Sequence, residues 1–143
     1  MGFEILEGVT SADIAFLARG ASIEELFGEA ARALISVMIE NPDTIEGTHA
    51  RPITATGAGM DLLLAGFLDE ILFYKDAESL VLVPGTLQIR ESDDGFSLVC
   101  EARGEKIVRG RHGVLVDVKA VTLHRLSVEK AGDEWRATVV LDV

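Results

Sequence analysis

Two aspartates at opposite ends of the chain are the first residues whose type and placement point to chemistry. Asp13 opens an apolar run after Thr10-Ser11-Ala12, and Asp142 closes an alternating run that stays strand-like to Val143. In that run Trp135, Ala137, Val139, Leu141 and Val143 point one way, and Arg136, Thr138, Val140 and Asp142 the other. If this N-terminal strand and the C-terminal one are neighbours, two carboxylates and one or two carbonyl oxygens converge. An all-oxygen donor set suits Ca²⁺ or Mg²⁺. Like charges that close otherwise repel, and one carboxyl titrates upward; a divalent ion removes the conflict.

The remaining candidates are basic. Residues 104–113 read as a loop that carries Lys106, Arg109, Arg111 and His112, with Arg103 just ahead of it. Glu101 and Glu105 dilute the segment, which reads either as a solvated loop or as a contact for phosphate or an acidic partner. Lys119 and His124 follow. On an uninterrupted strand their odd spacing sends them to opposite faces, so His124 is either a hydrogen-bonded structural residue or a recognition residue. Cys100, the one cysteine, has no internal disulfide partner. It sits in the alternating run 96–100 and reads as a buried thiol in a reducing, cytoplasmic compartment.

Several reaction classes lack their usual signals. The sequence has no GxxxxGK[ST], HExxH, paired CxxC or GxSxG, and Gly57-Ala58-Gly59 lacks dinucleotide-site spacing. The 143 residues carry 24 acidic and 13 basic side chains, a formal net charge of -11. That balance opposes broad phosphate-driven binding to nucleic acid, while leaving room for a protein partner that itself holds RNA. The start of the chain shows no secretion signal, and no apolar stretch approaches the roughly 20 residues of a membrane span.

The elements that must position these residues are legible in outline. Phe3 to Glu7 and Asp13 to Arg19 read as strands. Ser22 and Glu25 make a capping box for a helix whose stripe runs through Ile23, Leu26, Phe27, Ala30, Leu34, Val37 and Met38 until Asn41-Pro42 stops it. Arg51 to Gly57 is a weak strand. The stretch 61–74 is a helix apolar on nearly all sides, to be enclosed between a sheet and either the first helix or a partner. Ser79 to Val83 continues past Pro84-Gly85 into Thr86 to Glu91, and Phe96 to Arg103 returns after Asp93-Asp94-Gly95. Val114 to Glu129 and Trp135 to Val143 form a hairpin across residues 130–134. The pattern predicts an α+β domain: one mostly antiparallel sheet with two helices on one face.

Together these segments resemble the archease family over the whole chain. The matching pieces are Ala12-Asp13-Ile14, 22–27, Leu62-Leu63 through Phe73, Gly104-Glu105 with His112, the 118–124 segment Val-Lys-Ala-Val-Thr-Leu-His, and Asp142-Val143. The resemblance implies a non-catalytic accessory protein of a GTP-dependent RNA ligase in tRNA splicing or RNA repair, promoting ligase guanylylation and turnover. It also implies a neighbouring role as a specificity modulator or chaperone of a tRNA methyltransferase. By the same resemblance a divalent ion, Ca²⁺, is held by Asp13, Asp142 and a main-chain or terminal oxygen of Val143. Lys119 and His124 match the central motif; with His112, Arg109 and Arg111 they are expected to meet the partner or its nucleotide. The family carries a histidine where this chain has Thr10. Rival readings of the residues alone are a small metal-dependent hydrolase using Asp13 and Asp142, and a structural oligomer or ligand-binding module built on the apolar second helix.

Overall fold

The structure, a computed structural model, describes residues 2–6 and 13–143. The expected loop around residues 8–12 lies outside them. Local chemistry starts the first helix where the sequence places it. Ser22 Oγ accepts the Glu25 N–H at 3.1 Å and Glu25 Oε2 accepts the Ala21 N–H at 2.6 Å, capping α1 (Ile23–Met38). Chain direction then changes through a 3-10 turn at Pro42–Thr44. The second helix, α2 (Met60–Glu78), runs four residues past the expected Tyr74 and ends on Ser79, which adopts a left-handed φ of 56°.

The strands are β1 (Gly2–Leu6), β2 (Asp13–Gly20), β3 (His49–Gly57), β4 (Leu80–Pro84), β5 (Gln88–Ser92), β6 (Gly95–Lys106), β7 (Ala120–Val121), β8 (Ser127–Ala131) and β9 (Glu134–Asp142). They build two antiparallel sheets, which corrects the expectation of one. The first has the order β1-β2-β9-β7 with β8 also on β9; the second has β3-β6-β4 with β5 also on β6. The reason lies in α2. It packs on β3, β4 and β6 and also touches β7 and β8 of the other sheet, while α1 lies on β1, β2 and β9 and reaches β4. A helix apolar on opposite sides needs a cover on each, and one sheet supplies only one. Between the sheets Phe27 and Phe67 stack at 5.8 Å within a continuous buried core.

The expected strand Val114–Glu129 is also corrected. A one-turn helix, α3 (Arg109–His112), precedes it, and residues 113–119 form no ladder. Their backbone groups are satisfied at the end of α1 instead: Leu115 N–H donates to Met38 O at 2.9 Å, and Gly113 O accepts the Glu40 N–H at 2.7 Å. The β8–β9 hairpin forms, but across Gly132-Asp133 alone, with Gly132 at φ +66°. On the second sheet β4 and β5 share one side of β6, bridged by Gly85 N–H to Glu101 O at 2.9 Å, as the interrupted run suggests. Cys100 is buried, and burial pushes its thiol up, away from a reactive thiolate.

Gly104 shows how tightly β6 and β4 meet, since a Cβ there would lie 1.8 Å from Val81 O. Gly104→Ala should therefore lower stability in urea denaturation by about 3 kcal/mol or more, through a clash with backbone that cannot rotate away. Gly28→Ala in α1, where a Cβ meets nothing within 4 Å, should raise it by roughly 0.5–1 kcal/mol.

Candidate functional site

The register of β2 against β9 places Asp13 directly opposite Asp142, and β7 on the other flank places Ala120 opposite Asp142. Residues opposite one another share a face, with Cβ atoms about 4.5–5.5 Å apart. Both carboxylates thus stand on the face away from the Phe16, Val139 and Leu141 core, at one end of the sheet, each half-buried. Lys119 N–H donates to Asp142 O at 2.8 Å, so the backbone of the 118–124 segment is fastened to the same strand end while the Lys119 side chain is exposed. Val143 follows immediately and is also half-buried. Oxygen is the only donor element that Asp13, Asp142 and the Val143 main chain offer, which fits a hard divalent cation. Among the described residues no three His, Cys, Asp or Glu side chains gather into a ligand cluster.

His124 is exposed in the turn after β7 and does not lie on a strand, so the opposite-face argument does not apply to it. The three other basic candidates are brought elsewhere. His112 is fully buried: its Nδ1 accepts the Val108 N–H at 2.8 Å, which leaves Nε2 to donate to Glu105 Oε1 at 2.9 Å. Arg111 pairs with Glu105 Oε2 and donates to Thr44 O at 3.3 Å. His112 is therefore no surface contact, and Arg111 is committed to an internal ion pair; the Glu105 carboxylate holds both, while Lys106, Val108, Arg109 and Gly110 stay exposed. Arg109 is exposed at the rim of a cleft of about 360 Å³ whose floor includes Met38, Ile39 and Val114.

Two further side chains position the segment, and neither stands among the sequence candidates. Lys75 of α2 is buried, donating to Asp117 Oδ1 at 2.6 Å and Val118 O at 2.7 Å, with Asp76 Oδ1 at 2.9 Å. Burial alone would push its ammonium down, but these carboxylates outweigh it and hold the group above its ordinary value. Its signal was available: Leu64, Leu68, Ile71 and Lys75 lie on one helical stripe, and a lysine on a buried stripe needs acceptors. Asp69, also on α2, has its carboxyl raised by burial, which outweighs the opposing pull of the Val121 backbone. α2 thus also packs against β7, the strand that flanks Asp142.

Residues 3–143 match the Archease protein family (MTH1598/TM1083). The chain belongs to the archease family. It is 35% identical over 142 residues to Protein archease of Methanothermobacter thermautotrophicus, covering 99% of each chain, and 34% identical over 142 residues to Protein archease of Methanosarcina acetivorans, covering 99% of this chain and 95% of that one. The solution structure of Methanobacterium thermoautotrophicum protein 1598 superposes with a TM-score of 0.84 at 34% identity over 99% of both chains. The crystal structure of an archease from Thermotoga maritima shares the fold, with a TM-score of 0.63 at 20% identity over 98% of both. The segments that carry the resemblance take distinct places here: Glu105 and His112 belong to an internal clasp, whereas Asp13 and Asp142 pair at one sheet end beside the Lys119 backbone. Thr10, where the resemblance leads one to expect a histidine, lies outside the described residues.

The clasp makes a pH prediction. The Glu46 N–H, His112 and Arg111 hold the Glu105 carboxyl down from 4.5 to about 2. A carboxyl depressed in the folded state stabilises it fully above the unfolded value, and that contribution is lost as pH falls toward the folded one. Glu105→Gln should therefore lower the melting temperature at pH 7 and flatten the acid limb between pH 4.5 and about 2 relative to wild type. An unchanged acid limb in the variant would show that Glu105 is not the titrating group.

Proposed function

We propose that this chain is a non-catalytic accessory protein of a GTP-dependent RNA ligase in tRNA splicing or RNA repair, acting in the cytoplasm. The observation that carries the reading is the pairing of Asp13 with Asp142 beside the Lys119 backbone, in a chain that belongs to the archease family. On this reading Asp13, Asp142 and a Val143 oxygen hold a divalent cation, Ca²⁺ in the first instance. The cation supplies fixed positive charge between the two carboxylates and orders the strand ends. Lys119 and His124, both exposed beside that edge, meet the ligase or its nucleotide.

The accessory protein does no covalent chemistry. It promotes guanylylation only if it binds the ligase conformation competent for guanylyl transfer more tightly than the other, because equal affinity for both shifts no population. A coupling of about 1–3 kcal/mol corresponds to roughly 5–150-fold stimulation. The chain's net charge of -11 favours encounter with a basic RNA-handling protein and disfavours RNA alone, so RNA is engaged mainly through the partner.

The test is multiple-turnover RNA ligation by the ligase of the same organism, with and without this protein. Wild type should stimulate within the range of about 5–150-fold, and Asp13→Ala and Asp142→Ala, checked for folding, should each lose most of that gain. Identical ligase kinetics with and without folded wild type, across nucleotide and divalent-ion concentrations, would reject this role and turn attention to a tRNA methyltransferase. Separately, Ca²⁺ should raise the melting temperature of the wild type in proportion to the logarithm of its concentration above the dissociation constant, and should not raise that of Asp142→Ala.

A further inference from the structure

Among the described residues Thr122 Oγ1 is the one buried side-chain oxygen or nitrogen without a hydrogen-bond partner. Less than 1 Å² of this oxygen reaches solvent, although the residue as a whole is half-buried, so its other atoms face water and the hydroxyl is turned inward. A hydroxyl placed there gives up its bonds to water, a loss that valine, of nearly the same shape, would not incur. The sheet says what it faces. Thr122 N–H donates to Val140 O at 2.9 Å, just past the pairs Ala120 with Asp142 and Val121 with Leu141. Thr122 therefore lies opposite Val140 and, next to core-facing Val121, shares the face of Asp142. Ala15 lies opposite Val140 on the other flank, and the two are only 4% and 1% exposed. Ala15, Val140 and Thr122 thus make a dry row beside the row of Asp13, Asp142 and Ala120.

Two polar side chains on β9 are diagonal neighbours of Thr122 on this face, Asp142 and Thr138, each about 7 Å away between Cβ atoms. Of the two, the carboxylate is the stronger acceptor. Ala120 brings only a methyl opposite Asp142, which leaves room on that side. A carboxylate that ligates a cation is itself oriented by hydrogen bonds from an outer layer of groups. We propose that Thr122 is a positioning residue of the cation site: its hydroxyl holds the Asp142 carboxylate through one bridging water and so fixes the orientation in which Asp142 meets the ion. This deepens the reading of Asp13, Asp142 and Val143 as a divalent-cation site and rests on it. The hydroxyl makes no direct bond to the carboxylate, and the diagonal spacing suits a single water, which needs at least two polar partners and finds them in these two groups. The row of Ala15 and Val140 keeps further water away from the same contact, so the one donor in that row is aimed at the one ligand beside it.

Calorimetric titration of Ca²⁺ into the full chain tests the role of Thr122. Thr122→Val should weaken Ca²⁺ binding about tenfold or more, the scale of loss when an outer partner of a metal ligand is removed. Its melting temperature in chelator should not fall, because valine removes a buried hydroxyl that has no protein partner. Thr122→Ser returns the hydroxyl and should hold affinity within about threefold of wild type. Thr138→Val, on the other diagonal, should change it less than about twofold. Wild-type affinity in Thr122→Val would overturn the positioning role and leave the cation site standing. A loss that serine does not restore, or an equal loss in Thr138→Val, would put the effect in the packing of this face rather than in the hydroxyl and overturn it as well. If wild type binds neither Ca²⁺ nor Mg²⁺, the cation reading itself fails and the role of Thr122 fails with it.

Discussion

The antiparallel pairing of β2 with β9 joins the beginning of the chain to its end, and the rest of the molecule depends on it. Eight consecutive pairs, from Asp13 with Asp142 to Gly20 with Trp135, hold the two strands in register. One face of this ladder is core, with Phe16, Ala18, Ala137, Val139 and Leu141 buried under α1. Slipping by one residue would turn that face to water and at the same time part Asp13 from Asp142. The hydrophobic free energy that fixes the register therefore also fixes the two carboxylates. No separate interaction is needed to bring them together.

Around that ladder, polar groups do the positioning that the core cannot. Residues 113–119 make no ladder, and their hydrogen bonds go to the end of α1, to Lys75 of α2 and to Asp142. Lys75 is expensive to bury, and its acceptors repay this only because Asp117 and Val118 O sit where the segment must run. The Glu105 carboxylate does the same for the other end of the segment through His112 and Arg111. Fold and candidate site are thus coupled through charge and hydrogen bonding at both ends of one irregular stretch, and that stretch leads directly into Lys119.

The two sheets follow from α2, whose apolar residues surround it and must be covered on both sides. This arrangement leaves β7 with only two paired residues, at the end of its sheet and against α2. The short strand ends early enough for the chain to turn at Leu123–Leu126 and return as β8 on the same neighbour, β9. A longer β7, as an unbroken alternating run would suggest, would have hidden His124 or Lys119 against a face of the sheet.

What the sequence determined by itself was local or periodic. The capping box at Ser22 and Glu25, the stop at Pro42, the alternation of β9 and the buried thiol of Cys100 all follow from side-chain chemistry within a few residues or from a strict period of two. The pair Asp13 and Asp142 was legible for the same reason, since alternation fixes which face each occupies once the strands are neighbours. Only tertiary structure decided the rest. Alternation in 114–129 is the pattern of a strand, but the carbonyls at the end of α1 and the ammonium of Lys75 offered its backbone better partners than a ladder. A basic run at 103–112 reads as surface until Glu105, far from it in chemistry but close in sequence, draws His112 and Arg111 inward. Sequence reports how a side chain suits water or apolar surroundings; which acceptor a buried cation finds depends on where other elements bring their oxygens, and that is set by the packing of the two sheets around the helices.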